Sequence, residues 1–158
     1  MVQSAFLGHE DWENEWFEST SYGWGFMLAR LKWALERHRG QEPKVAWPRF
    51  NINISRQEAY RQLIVKGGIF TGDFSSLGKP GGEFAATTST DDSYSGRIEF
   101  VKQERGFFVS VRELNEAPLW LTIEGPPEKL EVQAWFSTFG VPDSEVERLR
   151  ERWLRRLE

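Results

Sequence analysis

The chain has 158 residues, no cysteine and a formal net charge of −4. The absence of cysteine excludes disulfides, thiol nucleophiles and thiolate metal sites, and without a Lys/Arg run able to neutralise a phosphate backbone, nucleic acid is set aside as a partner. Eight Trp, twelve Phe and three Tyr make up 15% of the chain, an excess that fills wide cores, lines apolar cavities or marks interfaces.

Residues 1–7 predict a strand. Residues 8–20 place Glu10, Asp11, Glu13, Glu15 and Glu18 around Trp12, Trp16 and Phe17, and read as a loop or short helical turn. A helix is expected from Gly23 to His38. Its main apolar face is Trp24, Met27, Leu28, Leu31 and Leu35, with i, i+3/i+4, i+7 spacing. Phe26 and Trp33 fall off that stripe and give the helix a second apolar side. Arg37, His38 and Arg39 suit the negative end of the helix dipole, and Gly40 suits the left-handed stop.

Pro43 and Pro48 frame a linker over residues 41–48. Phe50, Ile52 and Ile54 alternate with Asn51 and Asn53, which predicts a half-buried strand. Ser55-Arg56-Gln57-Glu58 has capping-box spacing and opens a helix that Gly67-Gly68 ends. Six strands are then predicted over Ile69–Phe74, Glu83–Thr88, Gly96–Val101, Gly106–Glu113, Leu119–Glu124 and Leu130–Phe136. The short breakers between them favour an antiparallel meander. A last helix begins near Asp143 and carries Val146, Leu149, Trp153, Leu154 and Leu157 on one face.

The two ends of the chain resemble each other. Val2-Gln3-Ser4-Ala5-Phe6 reads like Val132-Gln133-Ala134-Trp135-Phe136, and Trp24, Met27, Leu31, Leu35 and Glu36 match Val146, Leu149, Trp153, Leu157 and Glu158. Forty residues are too few for a domain, so the first unit must dock on the rest of this chain, on a second copy or on a domain beyond it. One arrangement that satisfies this is exchange of the unit between two chains in a homo-oligomer.

The order of these elements resembles the START-like (SRPBCC, helix-grip) superfamily, most closely its branch of homologues of the activator of heat-shock-protein ATPase. The residues that carry the resemblance are Ile52–Ile54 into Ser55-Arg56-Gln57-Glu58-Ala59-Tyr60, then Gly81-Gly82-Glu83-Phe84, Gly96-Arg97-Ile98-Glu99-Phe100, and Phe136-Ser137-Thr138-Phe139-Gly140 before the final helix. The resemblance implies an α+β helix-grip fold, a curved antiparallel sheet of about six or seven strands wrapped on a long C-terminal helix. Residues 49–158 would form that domain, and residues 1–40 resemble the end of a second copy. The family's usual second short helix has no room at Val65-Lys66-Gly67-Gly68.

Chemistry-bearing motifs are sparse. His9 and His38 are the only imidazoles and lie in different elements, so neither a metal site nor a Ser-His-Asp triad is expected. Gly78-Lys79-Pro80-Gly81-Gly82 lacks Walker spacing and reads as a turn, as does Asp91-Asp92. Glu99, Glu113, Glu124 and Glu131 are expected on a wet sheet face. No cofactor is implied. Strand parity puts Val109, Val111, Leu121, Ile123, Val132 and Phe136 on the face towards the last helix, and with Phe84, Phe100 and Trp153 they are candidates to line an apolar ligand cavity or fill a core. Trp120 and Trp135 have the opposite parity and, with Trp24, Phe26 and Trp33, are interface candidates.

The leading functional expectation is a non-catalytic, self-associating module that binds a small apolar ligand or a protein partner. The alternatives are a polyketide cyclase or aromatase, for which Tyr60, Thr87 and Arg112 are the polar candidates, and a chaperone cofactor. No apolar stretch approaches the ~20 residues of a membrane span, Met1–Ser4 lacks a signal-peptide pattern, and a cytoplasmic location is expected.

Overall fold

Strand-forming runs separated by short turns satisfy their backbone groups by pairing with their sequence neighbours. The computed structural model describes residues 11–65, 69–71, 80–88 and 92–157. In chain order they form α1 (Asp11–Arg37), β1 (Pro43–Ala46), β2 (Arg49–Ile52), α2 (Arg56–Tyr60, continued by a π turn over Arg61–Val65), β3 (Phe70–Thr71), β4 (Glu83–Thr88), β5 (Ser93–Lys102), β6 (Gly106–Val111), β7 (Ala117–Glu124), β8 (Leu130–Phe139) and α3 (Asp143–Leu157). The strands make one curved, unclosed sheet in the order β1-β8-β7-β6-β5-β4-β3. β2 joins β1 on the same edge by pairing with the other half of β8. Every pairing is antiparallel. The expected α+β helix-grip architecture is the one the chain adopts.

Alternation along the strands builds two apolar layers. Val109, Val111, Leu119, Leu121, Ile123, Val132, Ala134 and Phe136 share one face and pack with Leu149 and Trp153 of α3. Phe108 and Trp120 point the other way and pack with Tyr22 and Phe26 of α1. Helices therefore cover both faces of the sheet. The β4–β5–β6 crossing is tight at Gly96, where an added Cβ would lie 1.7 Å from the Ser110 carbonyl oxygen. At the head of α2 the Ser55 hydroxyl accepts from the Glu58 amide at 3.2 Å, the cap its spacing predicts.

Two expectations are corrected. Residues 11–20 are helix, so α1 runs 27 residues and begins well before Gly23. Early acidic residues suit a helix N-terminal half, and ion pairs from Glu15 and Glu18 to Arg105 hold it. The expected linker contains β1, which pairs Pro43 to Ala46 against Phe139 to Phe136. Of the two apolar sides expected on α1, the regular stripe faces solvent, with Trp24 45%, Leu28 56%, Leu31 54% and Leu35 63% exposed. Phe26 and Trp33, off the stripe, are buried instead, because the bulky rings match the aromatic surface of β6–β8. The expected strand at 1–7, His9 and Gly78-Lys79 lie outside the described residues.

Candidate functional site: a helix clasped to the outer sheet face

The outer sheet face holds Phe100 on β5, Phe108 on β6, Trp120 on β7 and Trp135 on β8. α1 lays Phe26 into this surface. Its ring stacks on Trp120 with centroids 4.5 Å apart and meets Phe108 edge-on at 5.3 Å. Tyr22 makes edge contacts with Trp120 and Phe100. Such aromatic pairs add about 0.5–1.5 kcal/mol each beyond the area they bury. Trp47 continues the surface against Trp135, with ring centroids 4.5 Å apart.

The C-terminal end of α1 is pinned by polar contacts. The Trp33 indole donates to the Glu116 carbonyl oxygen at 2.7 Å, and Arg37 lies 3.9 Å above the Trp33 ring while pairing with the Glu116 carboxylate at 3.2 Å. Asn115 and Glu116 both have left-handed backbones, φ 56° and 58°. Side chains other than Gly occupy that region at a cost, and here it turns the Glu116 carbonyl towards Trp33. His38 then stacks flat on Phe139 at 4.1 Å. Burial, with Arg37 nearby, holds its imidazole below the usual value of 6.5 against the opposing effects of Gln41 and Glu116.

The N-terminal half is held by a charge cluster. Arg105 is 4% exposed and donates to Glu15 at 2.9 Å, to Ser19 at 2.9 Å and to Glu124 at 3.3 Å. Arg56 grips Glu15 from the other side at 2.6 Å and donates to the Gly125 carbonyl oxygen. Burial pushes the Glu15 carboxyl up, but the two guanidiniums outweigh it and hold the carboxyl below its usual range. At Glu124 burial wins, and its carboxyl is raised despite Thr122, Arg105 and Ser19. Glu124 was expected on a wet face; its side chain is 15% exposed because α1 covers it.

The expected interface residues separate into two groups. Phe26, Trp120 and Trp135 meet under α1, Trp33 sits beside them on Glu116, and Trp24 faces solvent. Among the cavity candidates, Phe84, Val109, Val111, Leu121, Ile123, Val132, Phe136 and Trp153 belong to the inner cluster. Phe100 does not. A bulge between Ile98 and Phe100 opposes two residues of β5 to one of β6, which turns Phe100 to the outer face. The inner cluster has a polar contact in the Trp153 indole, which donates to the Tyr94 hydroxyl at 3.4 Å. At the margin of α3 a cleft of about 280 Å³ runs between Leu114, Thr138, Val146 and Leu149. The polar candidates are dispersed: Arg112 is drawn to Glu83 at the surface, Thr87 pairs with Ser93 across β4–β5, and Tyr60 edges the inner cluster.

Sequence reasoning missed Arg105, Arg56, Glu15 and Ser19. Arg105 reads as part of a Glu-Arg-Gly turn, and no spacing links positions 15, 56, 105 and 124. The presence of acidic residues beside aromatics before Gly23 was the only available signal.

No family model matches the chain, and no curated protein matches it. Solved structures do. DynU16, from the dynemicin biosynthetic locus, aligns with a TM-score of 0.58 at 20% identity over 71% of this chain, and the chain spans 45% of DynU16. The Aha1 dimer from Colwellia psychrerythraea aligns at 0.57 with 13% identity over 72% of this chain and 90% of that one. CalU16 from Micromonospora echinospora aligns at 0.52 with 12% identity over 75% and 82%. No helix among the described residues is long and apolar enough to cross a membrane. With a curved antiparallel sheet wrapped on α3 and these structural neighbours, the chain has a helix-grip fold.

Proposed function

We propose that this chain is a non-catalytic binding module whose ligand is a protein, engaged through the outer side of α1. One observation carries the reading: Trp16, Trp24, Met27, Leu28, Leu31 and Leu35 are 39–63% exposed along one helix. Contiguous exposed apolar surface of this kind marks interaction sites. The helix that presents it is held to its own sheet by aromatic stacking and by Arg105, so it offers a rigid surface. Rigid presentation lowers the ordering cost of association.

A second reading has support from the cleft between α3 and Thr138, with Val146, Leu149 and Leu114 on its walls. In that reading the module takes a small apolar molecule at the sheet–helix margin, and the inner residues from Phe84 to Trp153 form the wall behind it. Native mass spectrometry of freshly purified protein separates the two. Partner binding predicts a protein–protein assembly without a carried small molecule. A monomer that carries an apolar molecule would overturn it in favour of the second reading.

A further inference from the structure

At about 100° per residue, Tyr22, Phe26, Ala29 and Trp33 fall on one side of α1, and Trp24, Leu28, Leu31 and Leu35 on the opposite side. The first set packs on the sheet and the second is solvent-exposed. Trp24, Leu28, Leu31 and Leu35 follow one another at intervals of 4, 3 and 4, the alternation of a two-helix seam.

The residues that flank this seam decide what covers it. Along one margin, seven apart, stand Glu18, Gly25 and Lys32, all exposed. The row is acidic, neutral, basic, so it complements itself when reversed. In antiparallel seams this margin meets its own copy. With Leu28 of one chain beside Trp24 of another, Gly25 faces Gly25 and each Glu18 faces a Lys32. The other margin is Thr20, Met27 and Ala34, uncharged throughout. A parallel pair would set the charged margin against this neutral one and leave Glu18 and Lys32 unmatched. Glu18 also reaches Arg105 at 3.5 Å, at the long end of an ion pair, and is 56% exposed at its side chain.

We propose that α1 pairs antiparallel with α1 of a second copy of this chain, in a seam centred near Gly25. The proposal rests on the partner-binding reading above and names the partner. Continued upstream through Ser21 to Phe17 at the same spacing, the seam from Phe17 to Leu35 is about 27 Å long at 1.5 Å per residue. A helix pair that short is marginal alone, but α1 is already ordered by its own sheet, so pairing fixes side chains only. A membrane surface fits less well. Interfacial helices carry Lys and Arg along their polar margins, whereas this helix offers Lys32 with Glu18 and Glu36 in a chain of net charge −4.

The chain lacks cysteine, so introduced thiols report cleanly. Under mild oxidation or with a short bis-maleimide, Gly25→Cys alone and the Glu18→Cys/Lys32→Cys pair give covalent dimers, while Glu18→Cys and Lys32→Cys alone stay monomeric. An added Cβ at Gly25 has open space around it. In sedimentation equilibrium the wild type is a dimer, and Leu28→Glu, an exposed change, raises its dissociation constant by about 100-fold or more with unchanged circular dichroism. Glu18→Cys or Lys32→Cys alone cross-linking as well as the pair would overturn the antiparallel register. A wild type that is monomeric at every concentration, or that floats with phosphatidylglycerol vesicles as a monomer, would overturn the second copy as occupant. These outcomes leave the partner-binding reading to native mass spectrometry, where only a ligand-loaded monomer removes it.

Discussion

Phe26 of α1 lies on Trp120 of β7 with their ring planes 23° apart, and Phe26 is fully buried. This one stacking contact joins an element from the start of the chain to the middle of the sheet. It also fixes which side of α1 faces out. Trp120→Ala should therefore open the outer layer while sparing the inner one. The expected cost is about 3–5 kcal/mol, the range for emptying a buried Trp site. Hydrogen exchange should show amides of residues 20–37 losing protection, with α3 amides protected as before.

Arg105 offers a second point of attack. Its guanidinium is buried among Glu15, Ser19 and Glu124. Replacing it with Met leaves Glu124 without its ion-pair partner and Glu15 with Arg56 alone. Breaking a buried pair from one side costs about 3–5 kcal/mol. Urea unfolding of Arg105→Met should show a loss of that size. Arg150→Met, which breaks a solvent-exposed pair with Glu147, should leave the urea midpoint unchanged.

Acid should loosen α1 at its C-terminal end first. Burial lowers the His38 pKa below 6.5, so the folded state favours the neutral ring. The stability this contributes is present above the unfolded value and is lost as pH falls through the folded value. Glu15 follows at lower pH: its carboxyl is held below 4.5, so its contribution survives down to that value and disappears as pH falls further. Glu124 runs the opposite way, since burial raises its pKa and protonation relieves a cost. Exchange protection at residues 33–38 should decline as pH falls below 6.5 in the wild type and stay level in His38→Phe, which keeps the stack on Phe139 without a proton to gain.

The strand crossing at Gly96 should tolerate no side chain. An alanine Cβ there meets the Ser110 carbonyl oxygen at 1.7 Å and the Phe84 ring at 3.1 Å. The first obstacle is backbone paired across β5–β6 and cannot rotate away. Gly96→Ala should destabilise by more than about 4 kcal/mol, read as a lowered urea midpoint or as insoluble expression.

The inner layer was legible in the sequence because one-sided burial leaves an alternating trace. Leu119, Leu121 and Ile123 against Trp120 and Thr122 already state which residues face α3. The same parity flagged Trp120 and Trp135 as needing cover, and Phe26 and Trp33 as a source of it. What parity could not register was the bulge after Ile98, a backbone feature without a side-chain signature, and so Phe100 was expected on the wrong face. α1 was harder. A helix with apolar residues on two sides has no unique inward face, and the better-spaced stripe was the outer one. Its start was obscured because Gly23 and Gly25 resemble a boundary, each costing about 1 kcal/mol in a helix interior. Both glycines lie where the helix has open space beside it. The Arg105 cluster joins four distant segments by charge, and only the folded backbone reveals that meeting.

The most direct test compares Phe26→Ala with Leu31→Ala in urea unfolding at dilute concentration, where α1 is unpaired. Phe26→Ala should lose about 3–5 kcal/mol and Leu31→Ala less than about 0.5 kcal/mol. The reverse order, with Leu31→Ala the damaging change, would mean that α1 turns its regular stripe to the sheet, and would contradict both the clasp and the surface it presents.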